Sequence, residues 1–227
     1  MSLHSRFNTL FFSFLMLVLA TAAGAHDKMP EVTHDGLHLQ HNTKLRVVYL
    51  KPGADLSVYD KIALLDCYVA FKKNYKRDHN RDEPNLEMQI NDKEMAKIRK
   101  EVAVEFNKVF TKVLSTQGGH QMVTKGAAGV LILRPAIINL DVTSPDLMTA
   151  GMSQTFSASA GEMTLYMELY DGATGAIIGR VIDPEAAGID GMTQVRNIVT
   201  NKADADRVLR RWAKILNDHL ARVKAKS

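Results

Sequence analysis

The chain has 227 residues, 46% of them hydrophobic, and no Pro/Gly/Ser-rich linker divides it, so it is long enough to bury one sizeable core. Its formal net charge of +4 at pH 7 is too mild to point to nucleic acid. A single cysteine, Cys67, excludes an internal disulfide framework.

The chain opens MSLHSRFNTLFFSFLMLVLATAAGAHD. Arg6 supplies a positive start, residues 10–20 form an apolar run, and Ala23 and Ala25 set small residues in A-x-A spacing. This pattern predicts a signal peptide over residues 1–25, whose apolar run is too short to span a bilayer. Cleavage after Ala25 leaves 202 of the 227 residues and, because Arg6 is the leader's one charged side chain, a net charge of +3. No cysteine stands at the cleavage site, so no lipid anchor is expected, and with so short an apolar run no transmembrane anchor is expected either. The expected location is periplasmic or secreted.

Residues 26–36 are polar and aperiodic and read as a flexible N-terminal arm, with a single domain over 37–227. Residues 45–50 form a strand, and Pro52-Gly53 makes a turn after it. A second strand is expected over 61–72, where alternation sets Ala63, Leu65, Cys67, Val69 and Phe71 on one face and Ile62, Leu64, Asp66 and Tyr68 on the other. Cys67 then reads as a small buried hydrophobe. Residues 72–83 are a charged connector. A helix follows over about 92–116, with Asn91 and Glu94 in capping-box spacing and an apolar stripe that includes Ile98, Phe106, Val109 and Phe110.

Gln117-Gly118-Gly119 ends this helix, and strands follow at 120–124 and 130–142. Pro135 calls for a bulge or an edge near its position in the longer of the two. Residues 143–160 have no clear period yet keep Met148, Met152 and Phe156, as a functional loop would. In residues 162–170, Met163, Leu165, Met167 and Leu169 face the core and Glu162, Thr164, Tyr166, Glu168 and Tyr170 face away. Asp171-Gly172-Ala173-Thr174-Gly175 is a hairpin turn, residues 176–183 are the returning strand, and a helix over about 202–224 closes the chain. The order predicts an α/β (α+β) fold with a mixed, largely antiparallel sheet and two long helices packed on one face.

Asp35-Gly36-Leu37, KPGADLSVYDKIALLD at 51–66, VLILRPAI at 130–137, the DGATG hairpin and the closing helix together resemble a Gram-negative bacterial envelope family known only as a domain of unknown function. PGADLSxY is the most specific part of that resemblance. It implies a bacterial source, an envelope location and a mixed α/β fold. It supplies no catalytic residue. Members are commonly lipoproteins with a cysteine after the leader, and this chain departs from that pattern.

Three of the eight histidines, His34, His38 and His41, lie in HDGLHLQH. On a strand His34 and His38 share a face roughly 13 Å apart, too far to hold one ion, and His41 points away. A copper site at His26 would need a second, fixed histidine that the sequence does not supply, and His120 and His219 read as turn and helix-rim residues. Glu162 and Glu168 lie about 20 Å apart on one strand face, too far for a glycosidase pair. No metal and no cofactor is therefore expected. The basic segment FKKNYKRDHNR at 71–81 could touch lipid headgroups or another envelope polyanion, or simply be solvated.

These features favour a binding or interaction module over an enzyme, with an envelope protein or a glycan as partner and no nucleic acid. The expected interaction surface is the Tyr166/Glu168/Tyr170 sheet face together with Met148, Met152 and Phe156. The alternatives are a hydrolase of unrecognised type built around Asp66, Arg134 and Asp183, and a structural oligomer subunit.

Overall fold

The computed structural model describes residues 29–86, 89–142, 155–157, 161–186, 194–196 and 198–226. In chain order the elements are β1 (His38–Leu39), β2 (Val47–Leu50), β3 (Lys61–Leu64), β4 (Tyr68–Phe71), α1 (Tyr75–Asp82) and α2 (Asp92–Lys112). There follow β5 (Gln121–Met122), β6 (Val130–Val142), β7 (Thr155–Ser157), β8 (Gly161–Asp171), β9 (Ile177–Ala186), β10 (Gln194–Arg196) and α3 (Ile198–Lys224). Eight strands form one sheet in the order β1-β2-β9-β8-β6-β3-β5, with β4 also on β6. The pairs β1/β2, β2/β9, β8/β9 and β6/β8 are antiparallel, while β3 and β4 run parallel to β6. This is the mixed, mostly antiparallel sheet expected, with two long helices. β7 and β10 pair separately.

One face of the sheet is packed by α2 and α3. Phe106, Phe110 and Trp212 meet Leu131, Leu133, Ile137, Leu165 and Met167, all fully or nearly fully buried. The helix side of β8 thus carries the residues its alternation assigns to the core. α2 begins as its sequence predicts: the Asn91 side chain accepts from the Lys93 and Glu94 N–H groups, and Glu94 accepts from the Asn91 N–H at 2.7 Å.

The expected strand over 61–72 is two strands. Leu64 pairs with Leu133 but Tyr68 pairs with Ala136, so residues 65–67 absorb one extra residue relative to β6. That slip exchanges the faces. Ile62 and Val69, expected on opposite faces, lie in the same core, while Leu65 is exposed. Pro135, without an N–H to donate, falls opposite the break, so the irregularity its presence calls for lies in the partner strand. A second shift separates Ile138 from Asp141, where Asn139 takes a left-handed φ of 53°.

Asp55 caps the single helical turn Leu56–Val58 through the Ser57 N–H at 2.8 Å. Tyr59 after it is buried and donates its hydroxyl to Asp171 in the β8–β9 turn at 2.9 Å, instead of facing water. Burial, with Asp171 beside it, pushes the Tyr59 hydroxyl up to about 12. The charged connector also holds a helix, α1, which has no apolar stripe for the sequence to reveal and buries only Tyr75.

Residues Glu31–Ser227 form one compact unit. At its start Thr33 accepts the Leu37 N–H on its hydroxyl at 3.0 Å and donates its own N–H to the Leu37 carbonyl at 2.9 Å. Gly36 closes this turn at φ 77°, a conformation that favours glycine. Leu37 is thereby driven into a small second core with Val47 and Tyr49, on the sheet face away from the helices.

Candidate functional site

The outward row of β8 gives the site its frame. Register places Arg134 of β6, Glu168 of β8, Arg180 of β9 and Tyr49 of β2 side by side across four strands. Asp35, carried in by the Thr33–Leu37 turn, extends the row beyond Arg180. Charges therefore alternate across the sheet, as cross-strand pairing favours.

Every oxygen of Glu168 is engaged. Oε1 accepts from the Tyr166 hydroxyl at 2.9 Å and from Arg180 Nη2 at 3.1 Å; Oε2 accepts from the Tyr170 hydroxyl at 2.7 Å and from Arg134 Nη1 at 3.4 Å. Arg180 donates onward to Asp35, from Nη1 at 3.2 Å and Nη2 at 2.5 Å, a fork-to-fork pair, and its guanidinium lies 5.9 Å from the Tyr166 ring centre. Asp35 also accepts from the Thr33 hydroxyl at 2.5 Å.

These contacts fix the charge states. Burial by itself raises the Glu168 carboxyl, but donation from Tyr170, Tyr166 and Arg180 outweighs it and leaves the group below the ordinary carboxylate value. The Arg180 and Thr33 hydrogen bonds hold Asp35 down at about 2. Burial and the adjacent Glu168 raise both tyrosine hydroxyls, which stay protonated donors. Glu168 is thus an ionised carboxylate with its lone pairs taken up, and it has no proton to give.

Beside this network lies a shallow depression of about 260 Å³, lined by Tyr68, Arg134, Pro135, Ala136, Tyr166 and Glu168. Tyr68 is 66% exposed and the Arg134 side chain 64%. Of the residues expected in the interaction surface, Tyr166 and Glu168 line the depression, and Tyr170 joins them through its hydrogen bond to Glu168. Met148 and Met152 lie outside the described residues. Phe156 is in β7, paired in register with Val195, and its side chain also lies outside them. Tyr68, Arg180 and Asp35 are the members that strand alternation on β8 could not supply.

The residues of the hydrolase alternative are not brought together. Asp66 sits at the β3–β4 break and accepts from Asn107 of α2 at 3.2 Å, not from Arg134 or Arg180. Asp183 is on the helix side of β9, where it accepts from Trp212 Nε1 at 2.8 Å and the Arg46 N–H at 2.6 Å. Burial raises the Cys67 thiol to about 12, which keeps it protonated and unreactive. His41 faces Glu31 at 3.3 Å on the surface, and burial lowers both His120 and His219. Among the described residues no group of three His, Cys, Asp or Glu is placed to hold a metal ion, and no helix is long and apolar enough to cross a membrane.

No curated protein matches the chain. Among solved structures it is similar to the PelC dodecamer from Paraburkholderia phytofirmans in two crystal forms. One, a variant, is 12% identical with a TM-score of 0.35 over 75% of this chain and 95% of that one. The other is 11% identical with a TM-score of 0.32 over 75% and 96%. The family described as "Protein of unknown function (DUF3313)" matches residues 36–216, from the glycine of the Thr33–Leu37 turn to the later part of α3, and the chain belongs to that family.

Proposed function

We propose that the protein is a non-enzymatic binding module of the bacterial cell envelope, exported by the leader at residues 1–25 and working in the periplasm or outside the cell. The observation that carries this reading is the closed network around Glu168. A catalytic carboxylate needs a free lone pair or a proton to transfer, and here the oxygens are occupied by two tyrosines and two arginines. The network instead holds a surface rigid. What it leaves to solvent beside it is the Tyr68 ring and the Arg134 guanidinium, the aromatic and arginine side chains that recur at recognition surfaces. An envelope protein or a glycan suits such a surface.

The test is site-specific photo-crosslinking in cells, with a benzophenone side chain in place of Tyr68 and, as control, in place of the exposed Val104 on α2. A discrete adduct formed from position 68 and absent from position 104 is expected. Equal labelling from both positions, or none from position 68, overturns the reading.

A further inference from the structure

The Tyr68 ring also lines a second and larger concavity. An open groove of about 810 Å³ runs between β4, α1 and the first turns of α2, and the charged side chains lining it are Lys72, Lys76, Arg77, Arg99 and Asp92. Four cations thus face one carboxylate. The walls are fixed from behind. Tyr75 is buried, stacks on Phe71 at 4.6 Å and donates to the Val142 carbonyl at 2.8 Å, which pins α1 to the sheet. Asn80 clamps the Ile90 backbone with bonds of 2.9 and 2.7 Å, which ties the other end of α1 to the start of α2.

The cations are held loosely by comparison. Lys72 pairs with Asp141, Lys76 with Asp92 at 2.8 Å and Arg77 with Asp78 at 2.8 Å. The Lys76 and Arg77 pairs are exposed, and such pairs are worth less than about 1 kcal/mol each, so an incoming anion exchanges with them at small cost. Arg99 is exposed and has no ion-pair partner among the described residues. The groove and the depression on the outer sheet face meet at Tyr68, and Arg134 continues the positive lining beyond it.

We propose that this groove binds an acidic polysaccharide, with a sugar ring laid flat on Tyr68 and the chain's carboxylates met by Lys76, Arg77 and Arg99. The inference rests on the binding-module reading and names its ligand class. A groove lined by cations focuses positive potential on a threaded chain, whereas a planar lipid surface touches only its rim. Single-stranded nucleic acid needs a succession of free rings for its bases. Here Phe71 and Tyr75 are stacked on each other and Tyr75 is buried, leaving the Tyr68 ring alone at the groove mouth.

The test is calorimetric titration of the full mature protein with galacturonic acid oligomers, with neutral glucose oligomers, anionic phosphatidylglycerol vesicles and a thymidine oligonucleotide as separate arms. The expected result is binding of the galacturonate oligomers alone, weakened roughly tenfold or more as salt rises from about 50 to about 500 mM, since screening shortens the reach of exposed charges. Lys76→Ala with Arg77→Ala and Arg99→Ala should abolish it, and Tyr68→Ala should weaken it several-fold, with circular dichroism showing each variant folded. No galacturonate binding, binding indifferent to the triple variant, or preferential binding of vesicles or oligonucleotide each overturns the proposal. A position-68 crosslink together with any of those results leaves the binding-module reading standing and removes only the acidic ligand.

Discussion

The two faces of the central sheet are stabilised by different physics. On the helix side the contacts are apolar and deep: Trp212, Phe106 and Phe110 are at most 1% exposed, against strands whose inward residues are almost all aliphatic. Asp183 enters that layer from β9 and is met there by the Trp212 indole N–H. On the outer side the order comes from a row of alternating charges tied together by two tyrosines, with Leu37, Val47 and Tyr49 as a small apolar cluster at one end. Dense apolar packing fixes a fold and offers a ligand nothing; a hydrogen-bonded row holds exposed side chains in place while leaving them reachable. The difference sets a deep apolar core on one face and held but reachable side chains on the other.

The contrast is tested most severely at Trp212. Trp212→Ala removes the largest fully buried side chain and the donor to Asp183 together, and should cost about 4 kcal/mol, read as a lowered urea midpoint. Trp212→Phe keeps most of the ring and loses the donor, and should cost about 2 kcal/mol. If the two variants were equally mild, the helix layer would not be the stabilising one.

Next in size is Glu168→Ala. It leaves Arg134 and Arg180 facing the same gap with two orphaned hydroxyls and should cost about 3 kcal/mol in the same assay. Glu168→Gln keeps the shape, loses the charge, and should fall between Ala and the native side chain. A negligible effect of both would mean that the row is decoration and not scaffold.

A smaller effect concerns acid. Because Asp35 is held at about 2 against an ordinary value of 3.8, its contribution is complete above the ordinary value and is lost as pH falls from there through about 2. Stability measured across that window should drop more steeply in the native protein than in Asp35→Asn. Parallel slopes would show that the Thr33–Leu37 turn does not brace Arg180.

Local features were legible in the sequence because their causes are local. The Asn91–Glu94 capping box, the DGATG hairpin and the alternation of β8 each announce themselves within about ten residues, and the outward Tyr166/Glu168/Tyr170 row followed from that alternation alone. What escaped depends on distant register. Asp35 meets Arg180 across 145 residues of chain, and no periodicity carries that information. An unbroken strand over 61–72 sets Asp66 in line with Ile62 and Tyr68, and the hydrolase alternative joins it to Arg134. Asp66 instead meets Asn107 of α2, and the extra residue at 65–67 carries Val69 to the face of Ile62. The helix α1 was hidden for a different reason: its hold on the body of the protein is Tyr75 and Asn80, too few residues to make a stripe.

The finest division between the faces is drawn at Tyr68. It is 66% exposed, its ring packs into neither the helix-side core nor the Leu37 cluster, and it follows the slip that sets β4 in register with β6. A large aromatic side chain left in water loses little when truncated, so Tyr68→Ala should cost no more than about 0.5 kcal/mol, read as a nearly unchanged urea midpoint. The same substitution removes the one ring shared by the outer depression and the basic groove. Unchanged stability with lost ligand binding would separate recognition from folding at a single residue. A stability loss comparable to that of Glu168→Ala would instead make Tyr68 part of the scaffold and move the recognition surface elsewhere on the sheet.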